Sequence, residues 1–308
     1  MGLVIPFEGA RGAPEDLKPL LDLVSEDMEG INRIILDKAI SDVELIPELA
    51  HHLIDSGGKR LRPFLLIQSA RLFDVPEDHA LDPACALECV HCYSLVHDDL
   101  PAMDDDDLRR GQATCHKAFD EATAILAGDT LHTRAFELLA CHGDYRSDSR
   151  IALIQHLCQA AGVDGMAAGQ MQDMLAQGQQ QTVAALEEMH YLKTGRLITA
   201  SLQLGYFAAE NDDPALLSNL TDLGDAIGLA FQIQDDILDI TAATEQLGKP
   251  SGSDEKLQKS TFPSLLGLEQ SQQRARQVCD QAQHARDGYG PRDLPLQQLA
   301  QYIITRNH

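Results

Sequence analysis

The chain has 308 residues, a formal net charge of −24 and 44% hydrophobic residues, enough apolar material for a large core but too acidic for a nucleic-acid partner. No apolar run approaches the roughly 18 residues of a membrane span, and neither a secretory signal nor a myristoylation site is evident at Met1-Gly2, where Pro6 stands in place of the required hydroxyl. Of the seven cysteines, Cys89 and Cys92 satisfy C-x-x-C but lie in an apolar run without a second pair, so reduced core thiols in a cytoplasmic protein are expected.

Residues 1–13 read as a loose glycine-rich leader to a single domain spanning 1–308. From Pro14, Leu17, Leu20, Leu21, Val24, Met28, Ile31, Ile34 and Ile35 recur at threes and fours, which predicts an amphipathic helix to about Lys38. A second helix begins near Val43 and stops at Gly57-Gly58. Pro63 is expected to open a third, where its missing N–H costs nothing, and Pro83 to open a fourth. Asp120 caps or opens the next helix, and Ser147 is the expected N-cap of the one after. Gly162, Gly165 and Gly169 interrupt that segment. Thr182 starts a long helical stretch broken at Lys193-Thr194-Gly195, and Asp213-Pro214 is an N-cap and N1 pair. A polar loop between Thr244 and Thr261 and two helices, about Pro263 to Arg286 and Leu294 to Thr305, finish the chain. No run alternates like a strand, so the expected fold is all-α, one large bundle of antiparallel helices around a central cleft.

Two stretches stand out chemically. Asp98-Asp99-Leu100-Pro101-Ala102-Met103-Asp104, continued by Asp105-Asp106-Asp107-Leu108-Arg109-Arg110, follows an apolar helical run; more than a hundred residues later Phe231-Gln232-Ile233-Gln234 leads into Asp235-Asp236-Ile237-Leu238-Asp239. Carboxylates this crowded beside a core repel one another and lose hydration, a state tolerated mainly when a cation neutralises them. Asp235 and Asp239 are four apart and share a helix face. Six residues advance a helix by roughly 240°, so Asp98 and Asp104 cannot; Pro101 lets the chain leave helical geometry and return Asp104 to the helix end. A few hard oxygen ligands suit Mg²⁺, which completes its octahedron with water and substrate phosphates. The segment Gly57-Gly58-Lys59-Arg60-Leu61-Arg62-Pro63 joins flexible backbone, basic side chains and a helix start, a phosphate-holding combination. His91, seven residues before Asp98, lies within about 20° of it on the helix wheel.

These motifs, together with those spanning Gly165 to Asp173, His190 to Gly195 and Leu247 to Pro263, resemble the trans-isoprenyl diphosphate synthases, in particular their bacterial short-chain farnesyl branch, over most of the chain. The resemblance implies a Mg²⁺-dependent head-to-tail condensation of isopentenyl diphosphate with dimethylallyl and then geranyl diphosphate, in a homodimer with three Mg²⁺ per loaded site. By that likeness Lys59, Arg62, His91 and Arg110 hold the isopentenyl diphosphate. Asp98, Asp104 and Asp235 carry the metal, assisted by Asp99 and Asp239. Arg109, Lys193, Lys249 and Lys259 grip the allylic diphosphate, while Thr194 and Gln232 face the reacting carbon. Tyr93 or Ser94 is the floor that sets product length, and the aromatic at Tyr93 with the extra Pro101 and Ala102 favours C15 over C20. Gln258 and Phe262 depart from the common pattern, Gly and Tyr respectively. An HD-type phosphohydrolase, built on His97-Asp98 and His51-His52, is the distant rival, and it leaves the second acidic motif and the basic loop unexplained.

Overall fold

The computed structural model describes residues 60–141, 145–241, 259–284 and 294–305; the expected helices before residue 60, Lys59, Lys249, Gln258 and the pair His51-His52 lie outside them. The described chain is helical, as the periodicity predicts: α1 (Leu61–Arg71), α2 (Glu77–Asp98), α3 (Cys115–Ala118), α4 (Glu121–Cys141), α5 (Ser147–Ala161), α6 (Met166–Ala176), α7 (Val183–His190), a π-helical segment (Tyr191–Gly195), α8 (Arg196–Ala208), α9 (Pro214–Thr241), α10 (Phe262–Leu266), α11 (Leu268–His284) and α12 (Leu294–Thr305). One antiparallel ladder of two-residue strands, β1 (Leu108–Arg109) and β2 (Gln112–Ala113), is the exception among the described residues. It is too short to show as alternation.

Helix α8 is the axis of the bundle. Ten of its thirteen residues are buried, as expected of a helix surrounded by neighbours on every side. On one side, Leu197, Ala200 and Leu204 join a core with α2, α4 and α5; on the other, Ile198, Leu202 and Tyr206 join one with α9, α11 and α12. Two sequence caps hold: Thr182 Oγ1 accepts from Ala185 N at 3.2 Å, and Asp213 Oδ1 accepts from Ala215 N at 2.9 Å ahead of Pro214. Asp120 caps α4, accepting from the backbone and hydroxyl of Thr123 at 2.8 Å each.

Four expected boundaries are corrected. Helix α1 begins at Leu61, with Arg60 as N-cap in left-handed geometry (φ 42°); Pro63 still sits in the first turn, where its N–H would lack an intrahelical acceptor. The N-cap of α5 is Arg146, so Ser147 is its first helical residue. The helix expected from Pro263 to Arg286 divides at Gly267, whose φ of 82° suits a residue without a Cβ. Most informative is α2, which begins at Glu77 after Pro76 and carries Pro83 in its interior. A mid-helix proline leaves the carbonyl four residues earlier without its donor. That carbonyl belongs to His79, and the Tyr145 hydroxyl donates to it, with the two rings 4.2 Å apart. Tyr145 therefore repairs the defect that Pro83 creates and lets α2 run on to Asp98.

Replacing Tyr145 with Phe strips the His79 carbonyl of this donor while keeping the ring. It should destabilise the fold by about 1–3 kcal/mol, checked by urea unfolding of the two proteins.

Candidate active site

Helix α2 stops at Asp98, and the chain folds straight back, with Asp104 N donating to the Asp98 carbonyl at 2.9 Å. The return predicted from Pro101 is thus made, and it places the Asp98 and Asp104 side chains at one helix end although they are six residues apart. Beyond it Asp105, Asp106 and Asp107 are exposed, with Lys117 neutralising Asp107 at 2.7 Å. Arg110 and Gly111, at φ 53° and 77°, form the kind of positive-φ turn that suits a tight hairpin, and the β1–β2 ladder turns the two arginines back toward α2.

Around Asp98 and Asp104 a desolvated charge cluster assembles. Burial pushes Asp98 up to about 6, with Lys193 opposing and Asp104 adding to the rise. Gln170 donates to its Oδ1, and Lys193 Nζ lies 3.9 Å from its Oδ2. Lys259 Nζ lies 3.6 Å from Asp104 Oδ1, an oxygen that is buried with no hydrogen-bond partner. Both lysines meet on a residue to which the sequence assigned no role. Asp173 Oδ2 accepts from Lys193 at 2.7 Å and from Lys259 at 3.2 Å. Gln170 and Asp173 share one face of α6 three residues apart, a spacing within the Gly165 to Asp173 motif that could have flagged them.

The break at Lys193-Thr194-Gly195 is a π-helical turn, a distortion often found at functional sites. Neighbouring backbones crowd it: a Cβ on Gly169 would meet Lys193 N at 2.2 Å, and one on Gly228 would meet Gly195 Cα at 2.8 Å. Glycine at these two places lets α6 and α9 close on the segment. Thr194 Oγ1 donates to Gln232 Oε1 of α9 at 3.1 Å, joining the two residues expected beside the reacting carbon. In the second acidic motif, Asp235 is half-buried and adds a small opposition to the lowering that burial imposes on Arg62. Asp239 is buried. Asp236 serves the fold instead, since its Oδ2 accepts from Phe262 N at 2.9 Å, with His190 Nε2 at 3.6 Å. It pins α10, and Phe262, the departure from the usual Tyr, is fully buried and stacks on His190.

The basic residues form a second cluster around His91. Burial, then Arg62, Arg110, Arg60 and Arg109, hold His91 well below the ordinary histidine range, so its imidazole is neutral. The four arginines divide into two kinds. Arg60 is buried against Glu88, and Arg109 grips Asp99 with Nε at 2.7 and 2.9 Å from its two oxygens and Nη2 on Oδ1. Despite burial, which acts to lower them, both are held above the ordinary arginine range by these carboxylates. Arg62 and Arg110 are held below it: burial dominates both, Arg110 adds to the effect at Arg62, and Arg60 and Arg109 add to it at Arg110. Arginines depressed by burial and by neighbouring guanidinium groups mark a place that favours an anion. The Asp99–Arg109 clasp gives both residues a structural partner beyond the roles expected of them.

Upstream of Asp98, the Ser94 hydroxyl donates to the His91 carbonyl at 2.8 Å within α2. The Tyr93 ring packs on His132 at 4.7 Å and His97 at 5.8 Å. His97 itself bonds to the Ile125 carbonyl at 3.1 Å, a packing role rather than metal ligation. Among the described residues, no three His, Cys, Asp or Glu side chains converge to hold a metal by themselves. The Asp104 oxygen without a hydrogen bond and the desolvated Asp98 nevertheless fit a cation whose shell is completed from outside the protein.

Comparison with known proteins agrees with this geometry. The polyprenyl synthetase family model matches residues 43–289. The chain is 44% identical to a farnesyl diphosphate synthase of Escherichia coli strain K12, over 92% of this chain and 96% of that one. It is 39% identical to a chloroplastic geranylgeranyl pyrophosphate synthase of Catharanthus roseus, over 89% of this chain and 79% of that one. A geranyltransferase of Helicobacter pylori, solved with magnesium and isoprenyl diphosphate, superposes with a TM-score of 0.79 at 31% identity, covering 94% of this chain and 97% of that one. With its helical fold, its paired acidic motifs and these matches, the chain belongs to the polyprenyl synthetase family.

Proposed function

We propose that the protein is a Mg²⁺-dependent trans-prenyltransferase that adds isopentenyl diphosphate to dimethylallyl and then geranyl diphosphate, stopping at C15 farnesyl diphosphate. The observation that carries this reading is the presence of two separate anion-seeking clusters joined through the first acidic motif. Arg62 and Arg110 beside His91 form one; Lys193 and Lys259 beside Asp98, Asp104 and Asp173 form the other. A condensation of two diphosphates needs two such sites, whereas a hydrolase or a cyclase of one diphosphate needs a single one. We further read the protein as a cytoplasmic homodimer. Among the described residues, no helix is long and apolar enough to cross a membrane.

In this mechanism Arg62, Arg110 and His91, with Lys59, receive the diphosphate of isopentenyl diphosphate. Lys193, Lys259 and Lys249 hold the allylic diphosphate, and Arg109 stays oriented by Asp99. Asp98, Asp104 and Asp235, with Asp99 and Asp239 in support, are the residues that would hold Mg²⁺, three ions per loaded site, whose chemistry is Lewis-acid stabilisation of the leaving diphosphate. The ammonium groups add donors aimed at the oxygens where negative charge develops as the allylic C–O bond breaks. Thr194 and Gln232, held together at 3.1 Å, present oxygen lone pairs to the allylic cation, and the π turn at the same segment frees backbone carbonyl dipoles that can add to this. The isopentenyl double bond attacks, and the proton lost afterwards has the departing diphosphate, a basic oxyanion held beside it, as its natural acceptor. Packing of α2, α4 and α8 keeps water away from the cation.

Tyr93 is the better floor. Its ring is large and backed by His132, while Ser94 is small and turned onto its own helix. The higher identity to the farnesyl than to the geranylgeranyl enzyme supports the same product.

Purified protein given Mg²⁺, labelled isopentenyl diphosphate and geranyl diphosphate should yield a dominant C15 alcohol after product dephosphorylation and chromatographic sizing; release of phosphate without elongation would move the reading to a hydrolase. Asp98→Ala and Asp235→Ala should each cut condensation at least a thousandfold with the far-UV circular dichroism unchanged, and retained turnover in either would defeat the metal assignment. Tyr93→Ala should lengthen the product to C20 or beyond, and an unaltered C15 product would place the floor elsewhere.

A further inference from the structure

Asp173 stands out as a buried charged group that the mechanism above leaves without work. It is 6% exposed, yet one of its oxygens accepts hydrogen bonds from both Lys193 and Lys259, two residues far apart in sequence and both read as ligands of the allylic diphosphate. The two ammonium groups thus converge on a single anionic oxygen of Asp173. Burial acts to raise its pKa, but Lys193 and Lys259 more than offset this and hold it below the usual carboxylate range, so it stays charged.

We infer that Asp173 is an internal counter-anion that holds Lys193 and Lys259 in place between turnovers and competes with the diphosphate group for them. This rests on the allylic-diphosphate reading of the same cleft and adds a residue that works through the lysines, a positioning residue. Three features build the arrangement. Gly169, one turn earlier on α6, brings the helix into backbone contact with Lys193. Gln170, between them, donates to Asp98 and fixes the rotation of α6. Asp104 shares Lys259 at 3.6 Å, so withdrawal of that ammonium by an arriving phosphate leaves two carboxylates less well compensated.

The consequence is directional. An anion beside the diphosphate site weakens diphosphate binding and hastens its departure, while saving the two lysines from mutual repulsion between turnovers. A carboxylate that served as a metal ligand, or only as structural glue, would have the opposite effect: its loss would weaken binding.

The test is calorimetric titration of inorganic diphosphate, with saturating Mg²⁺ and again with EDTA, into the wild-type protein, Asp173→Asn and Asp173→Glu, each first checked by circular dichroism. The amide keeps a hydrogen-bond acceptor without charge; the glutamate pushes its charge one methylene further toward the ligand. Diphosphate should bind at least threefold tighter to Asp173→Asn and at least threefold weaker to Asp173→Glu than to wild type. KM for geranyl diphosphate and kcat should fall together in Asp173→Asn, as release slows. Weaker or unchanged binding by Asp173→Asn overturns the inference. If that variant does not fold, Asp173→Glu decides alone, and unchanged or tighter binding by it is equally fatal. Wild-type protein that neither binds diphosphate nor elongates geranyl diphosphate defeats the proposed function and this inference with it; wild-type protein that does both, with the wrong order of affinities among the variants, defeats this inference alone.

Discussion

Desolvated charge is the constraint on which this structure depends. Asp98, Asp104 and Asp173 are brought together out of water around Lys193 and Lys259, and Asp98 responds by rising to about 6. Removing carboxylates from water is costly unless their charge is answered, and here, among the described residues, Lys193 and Lys259 answer all three. The arginine cluster on the other side of the first acidic motif carries the opposite imbalance, with Arg62 and Arg110 held down by burial and by neighbouring guanidinium groups. A chain with 24 basic residues against 48 acidic ones concentrates several of its cations here. The two clusters therefore store opposite electrostatic demands side by side.

Such demand is useful only if the groups cannot relax away from it, and the helical scaffold prevents that. Helix α8 is enclosed on both sides by apolar cores, and the π turn that precedes it is pressed between α6 and α9 at Gly169 and Gly228. Lys193 and Thr194 thus project from backbone that has no room to shift. Fixed donors and acceptors are what electrostatic catalysis of ionisation requires, because little reorganisation remains for the moment of bond breaking. The same economy appears in the supports: Asp99 orients Arg109, Glu88 holds Arg60, and Asp236 pins the chain entering α10 through Phe262 N.

Much of this is legible before any coordinates. Helical periodicity, the caps at Thr182 and Asp213, the return of the chain after Pro101 and the break at Lys193-Thr194-Gly195 all follow from local rules, because each depends on residues within one or two turns. The misjudged points share a different cause. Pro83 reads as a helix start until Tyr145, far along the chain, supplies the donor that the proline removes. Gly267 reads as one more helical residue because nothing nearby shows its positive φ. The Asp99–Arg109 clasp, an added partner for both residues, is likewise invisible in the sequence until the β1–β2 turn closes.

The sequence by itself determined the class of fold and pointed to the chemistry: apolar spacing specifies the helices, and two aspartate runs with a basic loop are what a metal-assisted reaction of phosphates calls for. Those are properties of composition and short-range spacing, and they survive without knowledge of who touches whom. Only the tertiary structure decided which charges answer which. That Asp173 binds both lysines, that Asp104 keeps a buried oxygen without a hydrogen bond, and that two of four arginines are held above their ordinary range while two are held below it are outcomes of long-range packing. Coulomb energies and desolvation depend on distances of a few ångströms between segments far apart in sequence, and only the folded core sets those distances.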